Sequence, residues 1–336
     1  MRVPLWAQRR ERGSAVLIQL MIWLTLGLGW PVGQALLYPI TGYFFLFSRG
    51  ARSASSQFLG RVLGRPATRS EVFRHLFTFS CVLLDRLFLL SNRLQRFRIV
   101  VNGLDNVQVA LAQARGCVLL GSHLGSFEVL RASARQYPVP VKLLMYRANN
   151  GAYSRLVEQL DPTLADAIIE IGTPEAMLRV RESLDRGEMV GILADRTPAG
   201  QKMLAVPFLG DPAPMPTGPL ALCAALAAPV VLFYGVRTGA RRYDVHFEPF
   251  ADRIVLQRSR RAEEVADWVR RYAGRLEAYC RTHPFNWFNF YDFWDHGPHT
   301  TPPTRFRTVA DVDDIASARA RHGGRIFDAA AGRRDR

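Results

Sequence analysis

The chain has 336 residues, of which 49% are hydrophobic and 22% charged, enough to bury a substantial core and to exclude disorder as its general state. Lysine and arginine number 44 against 29 acidic residues, a formal charge of +15, and Lys142 and Lys202 are the only lysines. That balance implies an acidic partner; with no zinc-finger or RNP pattern, nucleic acid is set aside in favour of an anionic membrane surface or an acidic carrier protein.

Charge is absent from Gly13 to Ser48. An apolar run over 15–30 is followed by Pro31, Gly33, Pro39 and Gly42, then by an aromatic patch over 43–47. A membrane crossing needs ~20 apolar residues, so the stretch is long enough, but its second half reads as broken. Arginines flank both ends (Arg9, Arg10 and Arg12 before; Arg49, Arg52, Arg61 and Arg65 after), which leaves the positive-inside rule balanced. The reading is a membrane anchor that spans, or that lies in or re-enters the cytoplasmic leaflet. A cleaved leader competes less well, because the apolar region runs past any plausible cleavage point. A buried core helix is the other alternative.

Residues 51–97 read as helical. Short β-rich runs then recur at 98–101, 118–121, 141–146, 167–171, 190–194, 230–236 and 243–248. Amphipathic stretches of helix length lie between most of them, at 107–114, 127–136, 153–160, 175–186 and 219–227. This alternation predicts an α/β fold with a mostly parallel central sheet flanked by helices, behind an N-terminal membrane-associated helical segment. A last helix over 262–280 carries Val265, Trp268, Val269, Tyr272, Leu276 and Tyr279 on one side and stops before Pro284. The expected organisation is an anchor over 1–50, a catalytic domain over 51–298 and a polar, flexible tail over 299–336. The four cysteines are scattered, which argues against a zinc site or a disulfide framework and fits a cytoplasm-facing domain.

Chemistry concentrates in Gly121-Ser122-His123-Leu124-Gly125-Ser126-Phe127-Glu128. A hydrophobic strand enters a glycine-bracketed turn, so His123 falls at the carboxyl end of a strand, where open α/β sheets place their sites. Glu128 begins the next helix and is expected to fold back onto the imidazole. A carboxylate on one ring nitrogen fixes the tautomer and leaves the other to take a proton from a hydroxyl. A bare His-x4-Glu is a short pattern, and separate packing roles are the bland alternative. A serine-hydrolase elbow is excluded, because histidine occupies the nucleophile's place. Arg147 and Arg196 follow later strands and are candidates for binding phosphate or stabilising an oxyanion, with solvated strand-end charges as the alternative. A stiff loop over 206–210, followed by Thr217-Gly218 entering an apolar helix, is a candidate lining for an acyl groove or a plain connection.

Over residues 6–294 this order of motifs resembles the late acyltransferases of lipid A biosynthesis, within the glycerophosphate/lysophospholipid acyltransferase superfamily. Trp6 with Glu11-Arg12-Gly13-Ser14 is similar to the family's amino-terminal signature. His123 and Glu128 match its His-x4-Asp/Glu motif, which implies a general base and its acidic partner. Tyr146-Arg147 and Asn150 resemble the second block, which implies that Arg147 meets the acceptor phosphate or reacting carbonyl. Phe208-Leu209-Gly210 with Thr217-Gly218, and Ala228-Pro229-Val230, resemble the third and fourth. Asp195-Arg196 stands where the family usually has Asp-Gln. The aromatic stretch 284–294 lacks the family's basic residues and is closer to the branch associated with aryl-polyene pigments.

The resemblance implies transfer of an acyl group from acyl carrier protein to a hydroxyl of a lipid acceptor, lipid A precursor-like or aryl-polyene. It places the chain on the cytoplasmic face of a bacterial inner membrane. His123, Glu128 and Arg147 are expected to be catalytic, with Ser122, Asn150, Asp195, Arg196, Phe208, Gly210, Thr217 and Gly218 binding substrate. No metal or bound cofactor is expected, since a thioester is already activated. A catalytically silent lipid-binding scaffold is the alternative of another class.

Overall fold

The computed structural model describes residues 15–91, 96–113, 116–130, 139–145, 166–196, 201–294 and 300–301. Helix α1 (Ala15–Leu28) stops at Gly29, whose φ of 97° lies where glycine alone is comfortable. Helix α2 (Trp30–Phe47) then runs on for 18 residues. The break therefore falls before the prolines and not among them. Pro31 sits in the first turn, where its missing N–H is not needed. Gly33 is required by close packing, since a Cβ there would lie 2.7 Å from the Thr25 side chain and 2.9 Å from Leu84. The Arg52 side chain turns back to donate to the carbonyls of Phe45 and Leu46, capping the end of α2. Among the described residues, no helix is long and apolar enough to cross a membrane.

Helix α3 (Arg49–Leu63) ends at Gly64, and α4 (Arg69–Leu90) opens with a capping box between Thr68 and Glu71. Helix α4 lies antiparallel along α2, with Trp30 beside Asp85, Thr41 donating to Ser80 at 3.1 Å and Tyr38 against Phe77 at 4.4 Å. The stretch read as helical over 51–97 is, among the described residues, most of α3 and all of α4 with an intervening turn.

The main sheet has seven strands: β1 (Arg98–Asn102), β2 (Val118–Gly121), β3 (Val141–Met145), β4 (Ile168–Glu170), β5 (Met189–Leu193), β8 (Val230–Gly239) and β9 (Arg242–Ala251). Their order is β1-β9-β8-β2-β5-β3-β4, and every neighbouring pair is parallel except β8 with β9. All four residues of β2 are buried, as a central strand covered on both faces requires. The helices of this region are α5 (Leu104–Ala112), α6 (Pro174–Asp185), α7 (Gly218–Leu226) and α8 (Arg261–Thr282). The helix expected at 153–160, most of that at 127–136, and the tail beyond 301 lie outside the described residues.

The segment read as a stiff loop is a hairpin instead. Strands β6 (Met203–Phe208) and β7 (Asp211–Pro216) pair antiparallel through a two-residue turn, with positive φ at Leu209 (53°) and Gly210 (91°). Positive φ at both central residues matches the right-handed twist of the flanking strands. The short β10 (Thr300–Thr301) pairs parallel with β6.

A buried ionic cluster joins the N-terminal helices to the sheet. The Asp85 carboxylate, with no exposed surface, accepts from the Trp30 indole at 2.6 Å, the Tyr243 hydroxyl at 2.8 Å and the Arg237 guanidinium at 3.1 Å. Removing one partner of a buried pair strands the other. Asp85→Ala is therefore expected to lower unfolding stability by about 3–5 kcal/mol, read by denaturant titration against wild type.

Candidate active site

Strand β2 ends at Gly121, and β5 runs beside it in parallel with Gly121 opposite Leu193. That register brings the next residues of both chains, Ser122-His123 and Ala194-Asp195, together at the carboxyl edge of the sheet. The His123 Nδ1 is 2.7 Å from Asp195 Oδ1, and the His123 backbone N–H lies 3.1 Å from both carboxylate oxygens. With a carboxylate as acceptor, Nδ1 carries the hydrogen and Nε2 keeps a free lone pair.

Two further donors complete the Asp195 shell. The Trp287 indole N–H reaches Oδ2 at 2.9 Å and the Asn289 side-chain amide reaches it at 3.2 Å. Both come from the segment after α8, which folds back over the His123 turn. Gly125 N–H donates to Asn286 O at 2.8 Å, Phe288 N–H to His123 O at 2.9 Å and Ser126 N–H to Gly235 O at 2.7 Å. Gly125 has φ 73°, and a Cβ there would lie 1.9 Å from Gly235 O, so this second glycine of the turn is needed for close approach. The Asn286 side chain accepts from Arg237 N–H at 2.8 Å and donates to Arg237 O at 3.2 Å, fixing the fold-back segment to β8.

A second buried histidine supports this segment. His75 of α4 bonds Trp287 O through Nε2 at 2.9 Å and Ser55 Oγ through Nδ1 at 2.9 Å. Neither His75 nor Trp287 exposes any surface. A carbonyl only accepts, so Nε2 carries the hydrogen and Ser55 donates to Nδ1.

The electrostatics favour a neutral imidazole. The His123 pKa is lowered, first by desolvation and then by the nearby Arg196 cation, while the Asp195 charge and hydrogen bond oppose both. The ring is still one-third exposed (33%), so it remains accessible from solvent. Burial alone would raise the Asp195 pKa; the charge and hydrogen bonds of His123, with Arg196, outweigh it and hold the carboxyl below its usual range.

Glu128 is not the imidazole's partner in this structure. Its Oε1 is 2.7 Å from Arg86 Nε of α4, and its Oε2 accepts from Ser126 Oγ at 3.1 Å. The difference has a topological cause: Asp195 arrives in register on the adjacent strand, whereas Glu128 opens a helical turn that meets Arg86 of α4. Arg196 is engaged as well, donating to Asn289 Oδ1 and Phe288 O, with its guanidinium 5.7 Å from the Tyr291 ring centre. The Ser122 side chain is buried beside Tyr272 of α8, whose hydroxyl donates to Gly121 O at 2.8 Å.

Phe208 is fully buried 5.3 Å from the Trp287 ring, and Gly210 forms the hairpin turn. Thr217 precedes α7 and bonds Lys202 O through both its N–H and its hydroxyl, with Gly218 starting the helix. Arg147 and Asn150 lie outside the described residues. Sequence reasoning missed Trp287 and Asn289 as partners of the acid and His75 as their support. The signal available was a Trp- and Asn-rich segment directly after a long amphipathic helix.

A family model described as bacterial lipid A biosynthesis acyltransferase matches residues 77–295, well over half of the chain. The chain belongs to this family. It is therefore a lipid acyltransferase, and the matched span contains His123, Asp195 and the whole fold-back segment. Comparison with curated proteins gave no match.

Burial makes His75 in this acyltransferase a pH-dependent element of stability. Its pKa falls from the ordinary 6.5 to about 4, because desolvation outweighs the hydrogen bond to Trp287 O. The folded state thus prefers neutral His75, and the unfolded chain binds the proton more readily. The contribution is full above about pH 6.5 and is lost as pH falls through the folded value near 4; it amounts to roughly 3 kcal/mol. Denaturant titrations from pH 7.5 to 4 should show this acid loss in wild type and a shallower one in His75→Gln.

Proposed function

We propose that this lipid acyltransferase moves an acyl group from an acyl carrier protein thioester to a hydroxyl of a membrane lipid acceptor, with His123 as general base and Asp195 as its orienting acid. The observation that carries the reading is the 2.7 Å Nδ1 contact with a wholly buried carboxylate, which leaves Nε2 as the proton acceptor. Nε2 takes the acceptor's hydroxyl proton as the oxygen attacks the thioester carbonyl carbon. The tetrahedral oxyanion then collapses, the C–S bond breaks, and the imidazolium returns the proton to the departing thiolate. A cation near the developing charge favours this step, the part that the family resemblance assigns to Arg147. Glu128 enters through its ion pair with Arg86 and its bond from Ser126. The imidazole is neutral and poised, which supports an active enzyme over a silent scaffold.

A lipid A precursor is the favoured acceptor, supported by the family. The aryl-polyene alternative rested on the replacement of cations by Asn and aromatic residues in 284–294. Asn286 (5%), Trp287 (0%) and Asn289 (2%) are interior and serve Asp195 and Arg237, so their identity answers to packing and hydrogen bonding. The +15 charge supports an acidic carrier as donor and anionic lipid headgroups as the docking surface. His123→Ala and Asp195→Asn are each expected to lower turnover by roughly 10²–10⁴ in folded protein, measured as thioester consumption with a lipid A precursor. Wild-type turnover in either would remove the pairing proposed here.

The family resemblance places the chain on the cytoplasmic face of the inner membrane, and membrane attachment is supported by exposed apolar side chains along α1 and α2: Trp23 (72%), Leu28 (63%), Tyr43 (54%), Leu46 (65%) and Phe47 (64%). Large apolar groups exposed in such number on two consecutive helices are uncommon in soluble proteins, and Arg49 and Arg52 follow the last of them in the chain. The geometry favours helices lying in the interface over a spanning segment. Burying one such side chain is worth about 1.5–3 kcal/mol. The double variant Leu46→Ser/Phe47→Ser should therefore bind anionic vesicles at least about tenfold more weakly, in co-sedimentation at high salt, with its melting curve unchanged.

A further inference from the structure

Arg196 was a candidate for gripping substrate, yet two of its nitrogens are already committed within the protein. Its Nε donates to Asn289 Oδ1 and one terminal nitrogen to Phe288 O, while the guanidinium lies over Tyr291. The Asn289 amide is held from both sides, accepting from Arg196 with its oxygen and donating to Asp195 Oδ2 with its nitrogen at 3.2 Å. The same arginine is covalently next to Asp195, so one side chain spans from the end of β5 to the segment that completes the acid's hydrogen-bond shell.

We propose that Arg196 is a positioning residue for the His123–Asp195 pair: it clamps the Trp287–Tyr291 segment over Asp195 and holds a fixed cation beside the imidazole. The inference rests on the reading of His123 as the base. Geometry supplies the clamp, because losing Arg196 releases Phe288 O and the Asn289 oxygen together and loosens two of the four groups that donate to Asp195. The cation supplies a second effect, since positive charge near the ring disfavours imidazolium and extends the neutral base to lower pH. The other charged and titratable groups around the pair do not duplicate this. Glu128 faces Arg86 of α4, and Tyr272 and Cys280 of α8 are buried with pKa values pushed well above their ordinary ones. Burial pushes the Tyr291 hydroxyl well above its ordinary value and lowers His75 of α4 to about 4, so both are neutral across the working range.

The test uses the full chain in detergent and reads the imidazole directly. Diethyl pyrocarbonate acylates only neutral imidazole, and peptide mapping separates His123 from the other histidines. The labelling rate of His123 against pH is compared in wild type, Arg196→Gln and Arg196→Lys, each with its melting temperature checked. The Gln variant should shift the midpoint up by about one pH unit, about a tenfold slower rate on the acid limb, while the charge-retaining Lys variant stays within a few tenths of wild type. Turnover should follow, with kcat/KM of Arg196→Gln depressed at pH 6 and largely recovered at pH 9, and KM little changed. An unshifted midpoint in the Gln variant would overturn the proposal, as would a KM rise of equal size at every pH, the signature of an arginine that binds substrate. If Arg196→Gln does not fold, an equal upward shift in Arg196→Lys would overturn it in its place. Labelling needs no acceptor or donor, so the proposal fails or stands separately from the acyl-transfer reading, which His123→Ala tests.

Discussion

A carboxylate with no exposed surface organises this enzyme. Asp195 lies at the carboxyl end of a central strand, where an unpaired charge costs several kcal/mol. It is tolerable because the His123 N–H, the His123 ring, the Trp287 indole and the Asn289 amide all point at it. Those donors come from two stretches more than 160 positions apart. Satisfying one acid therefore obliges the chain beyond α8 to return over the His123 turn, and the contacts at Gly125, Asn286 and Phe288 are how it stays there. The oriented imidazole and the closed tertiary structure are consequences of the same requirement.

Helix α4 gives that arrangement its second support. One of its faces carries Asp85 to Trp30 of α2, and other positions deliver His75 to the Trp287 carbonyl and Arg86 to Glu128. The apolar N-terminal helices and the His123 turn thus share a single element of 22 residues. The aromatic side chains around Trp287, including Phe58, Phe208 and Phe293, keep water from this region. In such surroundings a hydrogen bond or fixed charge acts more strongly than at the surface, and an unsatisfied one is costlier. This is why the Arg196 cation, tied down within hydrogen-bonding reach of the fold-back segment, has leverage on the imidazole.

Much of this was legible from local pattern. Alternating apolar runs and amphipathic stretches declared an α/β fold, because strand and helix periodicities differ and each was written plainly for β2, β5, β8 and α8. The Gly-Ser-His-Leu-Gly turn after a buried strand located the carboxyl edge of the sheet where His123 meets Asp195, and the uncharged stretch before Arg49 marked the apolar helices. Gly125 is the glycine that the turn requires, since its φ is 73° and a Cβ there would lie 1.9 Å from Gly235 O. These features depend on residues close together in the chain, whose conformational preferences act before any tertiary contact forms.

The partner of the histidine was another matter. Glu128, five residues from His123, was the natural choice by proximity in sequence, whereas Asp195 is 72 positions away and arrives because β5 lies next to β2 in the strand order. Sheet order is set by which apolar faces can be covered together, a property of the whole chain that no local window contains. The same holds for the β6–β7 hairpin, whose prolines disguised it as a loop, and for Trp287, Asn289 and His75, ordinary residues until folding aims them at one carboxylate. The sequence by itself determined the fold class, the glycine-bracketed turn that carries His123 and the apolar amino terminus. Only the tertiary structure decided which acid faces the histidine and which arginine stands beside it, because hydrogen bonds of about 3 Å require long-range register that composition and spacing do not carry.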